Sequence, residues 1–159
     1  MDIRKVLEYA LQREYEGKRF FDENAARLQN AAAAGAFKAI AAEEQKHIEY
    51  IQAQLNALGG GQAPAPELPS AGFFADRAES ESIADTVAES MVADLPVLRM
   101  AYLIERDFSE FYAQAASKAE GDAKKTLDML AKWEAGHERL FKHMHDKAFE
   151  LYSGMPWGG

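Results

Sequence analysis

Apolar residues in this chain recur every three or four positions through four long stretches, the period of a helix that buries one face. The first stretch runs Ile3, Leu7, Ala10, Glu14, Gly17, Phe21, Asn24 and Leu28, and the second Phe37, Ile40, Glu44, His47, Ile51 and Leu58. The third runs Leu98, Ala101, Glu105, Phe108 and Tyr112, and the fourth Leu127, Leu130, Glu134, His137, Phe141 and Met144. No segment alternates with period two for long enough to make a strand. The spacing predicts helix A over 3–33, helix B over 36–58, helix C over 95–119 and helix D over 122–152. Gly35, Gly59, Gly121 and Gly154 each follow one of these stretches and are read as helix stops. Asp2, Asp94 and Asp122 stand where N-caps are expected, with Pro96 just inside the start of helix C.

The connectors set the topology. Between B and C lies Gly59-Gly60-Gly61-Gln62-Ala63-Pro64-Ala65-Pro66, flexible and then extended, followed by a shorter helical pattern at about 80–92 carrying Ile83, Val87 and Met91. The expected organisation is a single domain over 1–159. Hairpin A–B spans 3–58, a crossover linker 59–93, hairpin C–D 95–152 and an apolar tail 153–159. Short, long, short is the connectivity of an all-α four-helix bundle with one crossover. The chain also repeats: Leu7, Leu11 and Glu14 recur as Leu98, Tyr102 and Glu105, and Glu44 with His47 recurs as Glu134 with His137. The offset holds near 90 residues at each landmark, the mark of two related hairpins about a pseudo-twofold axis.

Composition narrows the function. Cysteine is absent, which removes thiolate catalysis, iron–sulfur clusters and Cys-ligated zinc. Twenty-six acidic against eighteen basic residues give a net charge of −8, and no basic stripe is present to bind nucleic acid. No apolar run approaches the roughly 18 residues of a membrane span, and the N-terminus lacks a secretory pattern, so a cytoplasmic protein is expected.

The seams themselves carry charge. Each predicted helix places a glutamate at mid-length on its apolar face: Glu14, Glu44, Glu105 and Glu134. His47 and His137 follow one turn after Glu44 and Glu134. Residues i and i+3 share a helix face, so Glu and His of each Glu-x-x-His can reach one ion or two adjacent ions. Buried carboxylates need a cation or a proton, and no Lys or Arg stands on the seams to supply one. Two divalent ions would balance four carboxylates, with two neutral imidazoles completing the shell. Oxygen and imidazole donors suit iron or manganese. Di-metal carboxylate bundles use this set, a Glu from each of two helices and Glu-x-x-His from each of the others. A single Glu-x-x-His is more often a surface pair; two of them on seams, with seam glutamates on both other helices, argue otherwise. Glu16, Glu43, Glu110 and Glu138 are read as solvated neighbours, and His143 and His145 as exposed partners of the helix D dipole. Gly17 and Gly136, costly inside helices, are read as making room near the metals, with close helix packing as the alternative.

At these residues the chain resembles the rubrerythrin family of the ferritin-like superfamily, in a form without the rubredoxin domain. The carriers are Ala10 and Glu14 leading to Phe20-Phe21 and Ala25, Ala42 to His47, Glu105 leading to Phe111-Tyr112, and Glu134 to Glu138. The resemblance implies a ferritin-like bundle with two iron ions, or manganese, on Glu14, Glu44, His47, Glu105, Glu134 and His137. Glu44 and Glu134 would be the shared carboxylates. It implies an oxidoreductase whose diferrous site is oxidised by peroxide or dioxygen in oxidative-stress defence. Lacking the cysteine domain, the chain would need a separate electron-donor protein. Phe108 stands where peroxide-reducing members carry an extra glutamate, with Gly17 at the equivalent place on helix A, which weighs against dedicated peroxide reduction. Tyr112 would hydrogen-bond a ligand carboxylate, tune it or donate an electron; a core tyrosine is the plain alternative. Phe21 replaces its counterpart on helix A. Two other readings stay open, a ferroxidase that handles iron and a metal-free helical interaction bundle. A homodimer is expected, and the long linker would permit exchange of hairpins between chains.

Overall fold

The computed structural model describes residues 1–60 and 83–156. Its helices are α1 (Ile3–Ala25), α2 (Ala31–Leu58), α3 (Asp85–Ser90), α4 (Leu95–Ser117) and α5 (Gly121–Gly154), with a 3-10 turn at Val92–Asp94 before α4. Among the described residues there is no strand, and no helix is long and apolar enough to cross a membrane. Helices α1 and α2 form one antiparallel hairpin and α4 and α5 the other; α1 also packs on α4, α2 on α5, and α3 lies against α5.

The first turn differs from the expected one. Helix A was expected to run to 33 and stop at Gly35, but α1 ends at Ala25 and Gly35 lies inside α2, exposed. The alanines 31–33 are helical in either reading; the break is made by side chains upstream of them. Asn24 Nδ2 donates to the Phe20 carbonyl at 2.8 Å, and Asn30 caps α2 by accepting from the Ala33 N–H at 2.9 Å. Asp94, expected as the cap of helix C, makes no capping bond. Its buried carboxylate instead accepts the Gln29 and Asn30 N–H groups, both at 2.8 Å. Asn30 Nδ2 then donates to Ser90 Oγ at 2.6 Å and to the Val87 carbonyl at 3.2 Å. This network ties the α1–α2 turn to the start of the second hairpin, so the two hairpins are locked at that end.

Other bounds shift less. Helix C ends at Ser117 rather than 119, and α5 runs from Gly121 to Gly154 rather than over 122–152. Gly121 does take a left-handed φ of 60° at the reversal, where a side chain would be strained. Of the short helix expected at about 80–92, the described part is α3 over 85–90. Most of the expected linker, residues 61–82, and the tail end, 157–159, lie outside the described residues.

The core forms two apolar clusters. One is built on Phe21, Phe37, Ile40, Leu98, Leu140 and Phe141, the other on Leu7, Ile51, Phe108, Tyr112, Leu127 and Leu130. In the first, the Phe21 and Phe141 rings stack at 5.3 Å and Phe37 meets both edge-on at 5.2 and 5.1 Å. In each seam the mid-length glutamate falls between residues of the two clusters, as Ile40–Glu44–Ile51 and Leu130–Glu134–Phe141 show. A layer of charge therefore sits inside the bundle with apolar packing on both sides.

Candidate metal centre

All six side chains singled out by the seams meet in that layer: Glu14 from α1, Glu44 and His47 from α2, Glu105 from α4, and Glu134 and His137 from α5. Each is fully buried. Their donor atoms form two overlapping sets, each within 4.8 Å throughout: Glu14, Glu44, His47 and Glu134, and Glu44, Glu105, Glu134 and His137. Glu44 and Glu134 belong to both sets; the other four belong to one each.

The imidazoles reach across the bundle. His47 Nδ1 lies 2.8 Å from Glu134 Oε1, 3.2 Å from Glu14 Oε2 and 3.5 Å from Glu44 Oε2. His137 Nδ1 lies 3.1 Å from Glu44 Oε1, 3.4 Å from Glu134 Oε2 and 3.7 Å from Glu105 Oε1. The two rings are nearly parallel, 6° apart in plane with centroids 5.7 Å apart. Both histidines thus turn Nδ1 toward the carboxylates.

This donor set fits a metal. The carboxylate oxygens of Glu44, Glu105 and Glu134, and His137 Nδ1, are buried without a hydrogen bond. The neighbouring imidazole nitrogens are close to them but off the line of a bond. Leaving such groups unsatisfied in an apolar interior costs on the order of a few kcal/mol each. Nearby cationic side chains are engaged elsewhere, Arg13 with Glu16 at 3.0 Å and Arg106 with Glu138 at 2.9 Å. Oxygen and imidazole donors at this spacing could hold divalent iron or manganese.

Without a cation, protons take the place of metal charge. Burial, and then the Glu44 charge, raise the Glu14 carboxyl to about 8. Burial and the charges of Glu44 and Glu134 raise Glu105 well above the usual carboxyl range. For Glu44 and Glu134 burial also pushes upward, but the histidines beside them win and both carboxyls are lowered. Burial opposes charge on His47 and His137, yet the surrounding carboxylates raise both well above the ordinary imidazole value. Protons held on Glu14, Glu105, His47 and His137 thus offset part of the charge that a metal would otherwise balance.

Around this layer the structure separates the secondary candidates. Tyr112, buried, donates its hydroxyl to Glu14 Oε1. Burial, and then the Glu14 charge, push its phenol well up, which keeps it a donor. Glu43 corrects the expectation of a solvated residue: it is buried, and its Oε2 lies 2.7 Å from His137 Nε2. Nothing in the sequence marked this: Ala36, Glu43 and Tyr50 form a row beside the seam that is buried only in the folded structure. Gly17 makes room for packing, since a Cβ there would lie 2.9 Å from Phe108 Cε2. Glu110 is exposed, as expected, whereas Glu16 and Glu138 are half-buried in their arginine pairs. His143 and His145 are half-buried rather than exposed, and His145 Nδ1 lies 3.0 Å from Asp146 Oδ1.

A family model described as Rubrerythrin matches residues 5–145. Comparison with curated proteins and with solved structures returns no significant match. The family match spans both hairpins and every residue of the buried carboxylate–histidine layer. The chain, an all-α ferritin-like bundle, belongs to the rubrerythrin family.

Proposed function

We propose that this protein is a di-iron carboxylate oxidoreductase whose diferrous centre is oxidised by dioxygen or peroxide. One observation carries the reading: four buried carboxylates and two imidazoles converge in one layer, and most of their donor atoms lack any other partner. Bound iron would supply two electrons to the oxidant, giving the diferric state and reduced oxygen. The chain's own residues do the rest. Glu44 and Glu134 would bridge the two positions, while Glu14 with His47 and Glu105 with His137 would each serve one. The flanking apolar clusters keep bulk water out and confine the oxidant. Tyr112 holds a hydroxyl proton at Glu14 Oε1 and fixes that carboxylate's rotamer.

Phe108 favours dioxygen, or a ferroxidase step in iron handling, over dedicated peroxide reduction. Its ring fills the notch at Gly17, one turn from both Glu14 and Glu105, so no further carboxylate stands there. Electrons would return from a separate donor protein. We further propose a cytoplasmic homodimer, with hairpin exchange permitted by the long connector.

Anaerobic loading with ferrous iron, followed by elemental analysis, tests the reading. About two irons per chain are expected, oxidised faster by dioxygen than by peroxide. Faster oxidation by peroxide would instead assign peroxidase chemistry, and many irons per chain in a large assembly would assign storage. No iron above background, with melting unchanged by chelator, would leave a metal-free interaction bundle.

A further inference from the structure

The pseudo-twofold axis relates the ligands of the two sets but not what stands behind them. Glu43 on α2 and Trp133 on α5 occupy equivalent places, each directly before the glutamate of its Glu-x-x-His. Each crosses the bundle to the other hairpin's histidine. Glu43 Oε2 meets His137 Nε2 at 2.7 Å. Trp133 instead lays its ring on His47, with centroids 4.5 Å apart and planes 27° apart. His47 Nε2 is consequently buried with no hydrogen-bond partner. A second pair breaks the symmetry in the same sense. Tyr112 follows Glu105 by seven residues and donates to Glu14, whereas the residue seven after Glu14 is Phe21, which has no hydroxyl to offer Glu105.

We propose that these two substitutions make the metal positions unequal, with Glu43 acting through His137 to make the Glu105–His137 position the tighter and first filled. The inference rests on the metal-centre reading above. With Nδ1 facing the ion, His137 carries its proton on Nε2, and Glu43 accepts it. That bond fixes the tautomer and the ring orientation and raises the donor strength of Nδ1. His47 has an aromatic face in place of that acceptor, and its Nδ1 gains no such support. On the carboxylate side, the Tyr112 hydroxyl donated to Glu14 Oε1 draws electron density from that carboxylate, whose Oε2 faces His47 Nδ1 at 3.2 Å. Glu105 has both oxygens free of hydrogen bonds. Both differences point the same way: stronger donors at Glu105–His137, weaker donors at Glu14–His47. Glu43 is a positioning residue in this scheme, touching no ion itself.

Cobalt(II) is a suitable probe, because it binds oxygen and imidazole donors and does not oxidise during a titration. Calorimetric and visible-absorbance titration of the full chain should resolve two steps. Glu105→Ala should abolish the tighter step and Glu14→Ala the weaker. Glu43→Gln keeps the volume but removes the charge. It should weaken the tighter step by about 10–100-fold, leave the weaker one in place, and bring the two together. Glu43→Asp should recover part of the loss. Tyr112→Phe should tighten the weaker step alone, and it tests the asymmetry even if Glu43→Gln fails to fold. Two equal steps in the wild type, a tighter step lost with Glu14→Ala, or a folded Glu43→Gln with unchanged affinities would each overturn the proposal and leave the metal centre standing. No cobalt binding at all would overturn both.

Discussion

The two hairpins use one plan and diverge around it. Glu14 and Glu105, Glu44 and Glu134, and His47 and His137 are interchangeable by position and depth. Their neighbours are not: Glu43 is matched by Trp133, Phe21 by Tyr112, and Gly17 by Phe108. The last pair are themselves in contact, since the missing side chain at Gly17 is the space Phe108 fills. The ligand layer is held by the need to balance charge in an apolar interior, which leaves little freedom in residue type. The surrounding positions need only fill volume and satisfy single donors, so there the halves can differ and tune one position against the other.

Removing a carboxylate common to both donor sets should have the largest effect. Glu44→Ala or Glu134→Ala should drop bound iron from about two per chain to background. Glu14→Ala or Glu105→Ala should leave about one, as read by elemental analysis. Equal losses from all four variants would break the distinction between shared and private carboxylates.

Next comes the pH dependence of the metal-free protein. Glu14, at about 8 in the folded chain, binds a proton that the unfolded chain has released once pH passes 4.5. Glu105, His47 and His137 are raised as well, so they act in the same direction. Their stabilisation is fully present below the unfolded values and is lost as pH rises through the folded ones. The contribution of Glu44 and Glu134, which are lowered, is fully present above about pH 4.5 and is lost only as pH falls below it, so it does not vary at higher pH. Thermal melts in chelator should therefore fall from pH 5 to pH 9, by on the order of a few kcal/mol from Glu14 alone. Metal affinity should rise over the same range, because binding displaces those protons. Calorimetry in buffers of different ionisation enthalpy would count them. A chelated protein more stable at pH 9 than at pH 5 would contradict the assignment.

Smaller effects separate glycines of one hairpin. Gly17→Ala should destabilise by about 1–3 kcal/mol, because its Cβ would press on the buried Phe108 ring. Combining it with Phe108→Leu should recover part of the loss, which a double-mutant cycle of melting curves would measure. Gly35→Ala meets nothing within 4 Å in an exposed helical position and should stabilise by about 1 kcal/mol. Equal effects at both glycines would show that helix propensity rather than the Phe108 contact governs Gly17.

Much of this was legible in the sequence, for a definite reason. A polar residue on an apolar seam is expensive, so its position survives any small error in helix phase. Glu14, Glu44, His47, Glu105, Glu134 and His137 can be read off by period and offset alone. The turn at 26–30 was not legible, because the alanines after it favour helix whichever hairpin they join. What decides it is Asp94, more than sixty residues away, accepting the Gln29 and Asn30 N–H groups. Glu43 was hidden likewise. It lies one step off the seam, and α2 is buried there only because α5 packs against that side.

The sequence by itself determined the helical period, the half-repeat and the layer of ionisable residues, since each follows from local spacing and the cost of burying charge. Tertiary structure alone decided that Glu43 rather than solvent receives His137 and that Trp133 covers His47. Those facts depend on which helix faces lie within a few ångströms of one another, a distance that no one-dimensional pattern encodes.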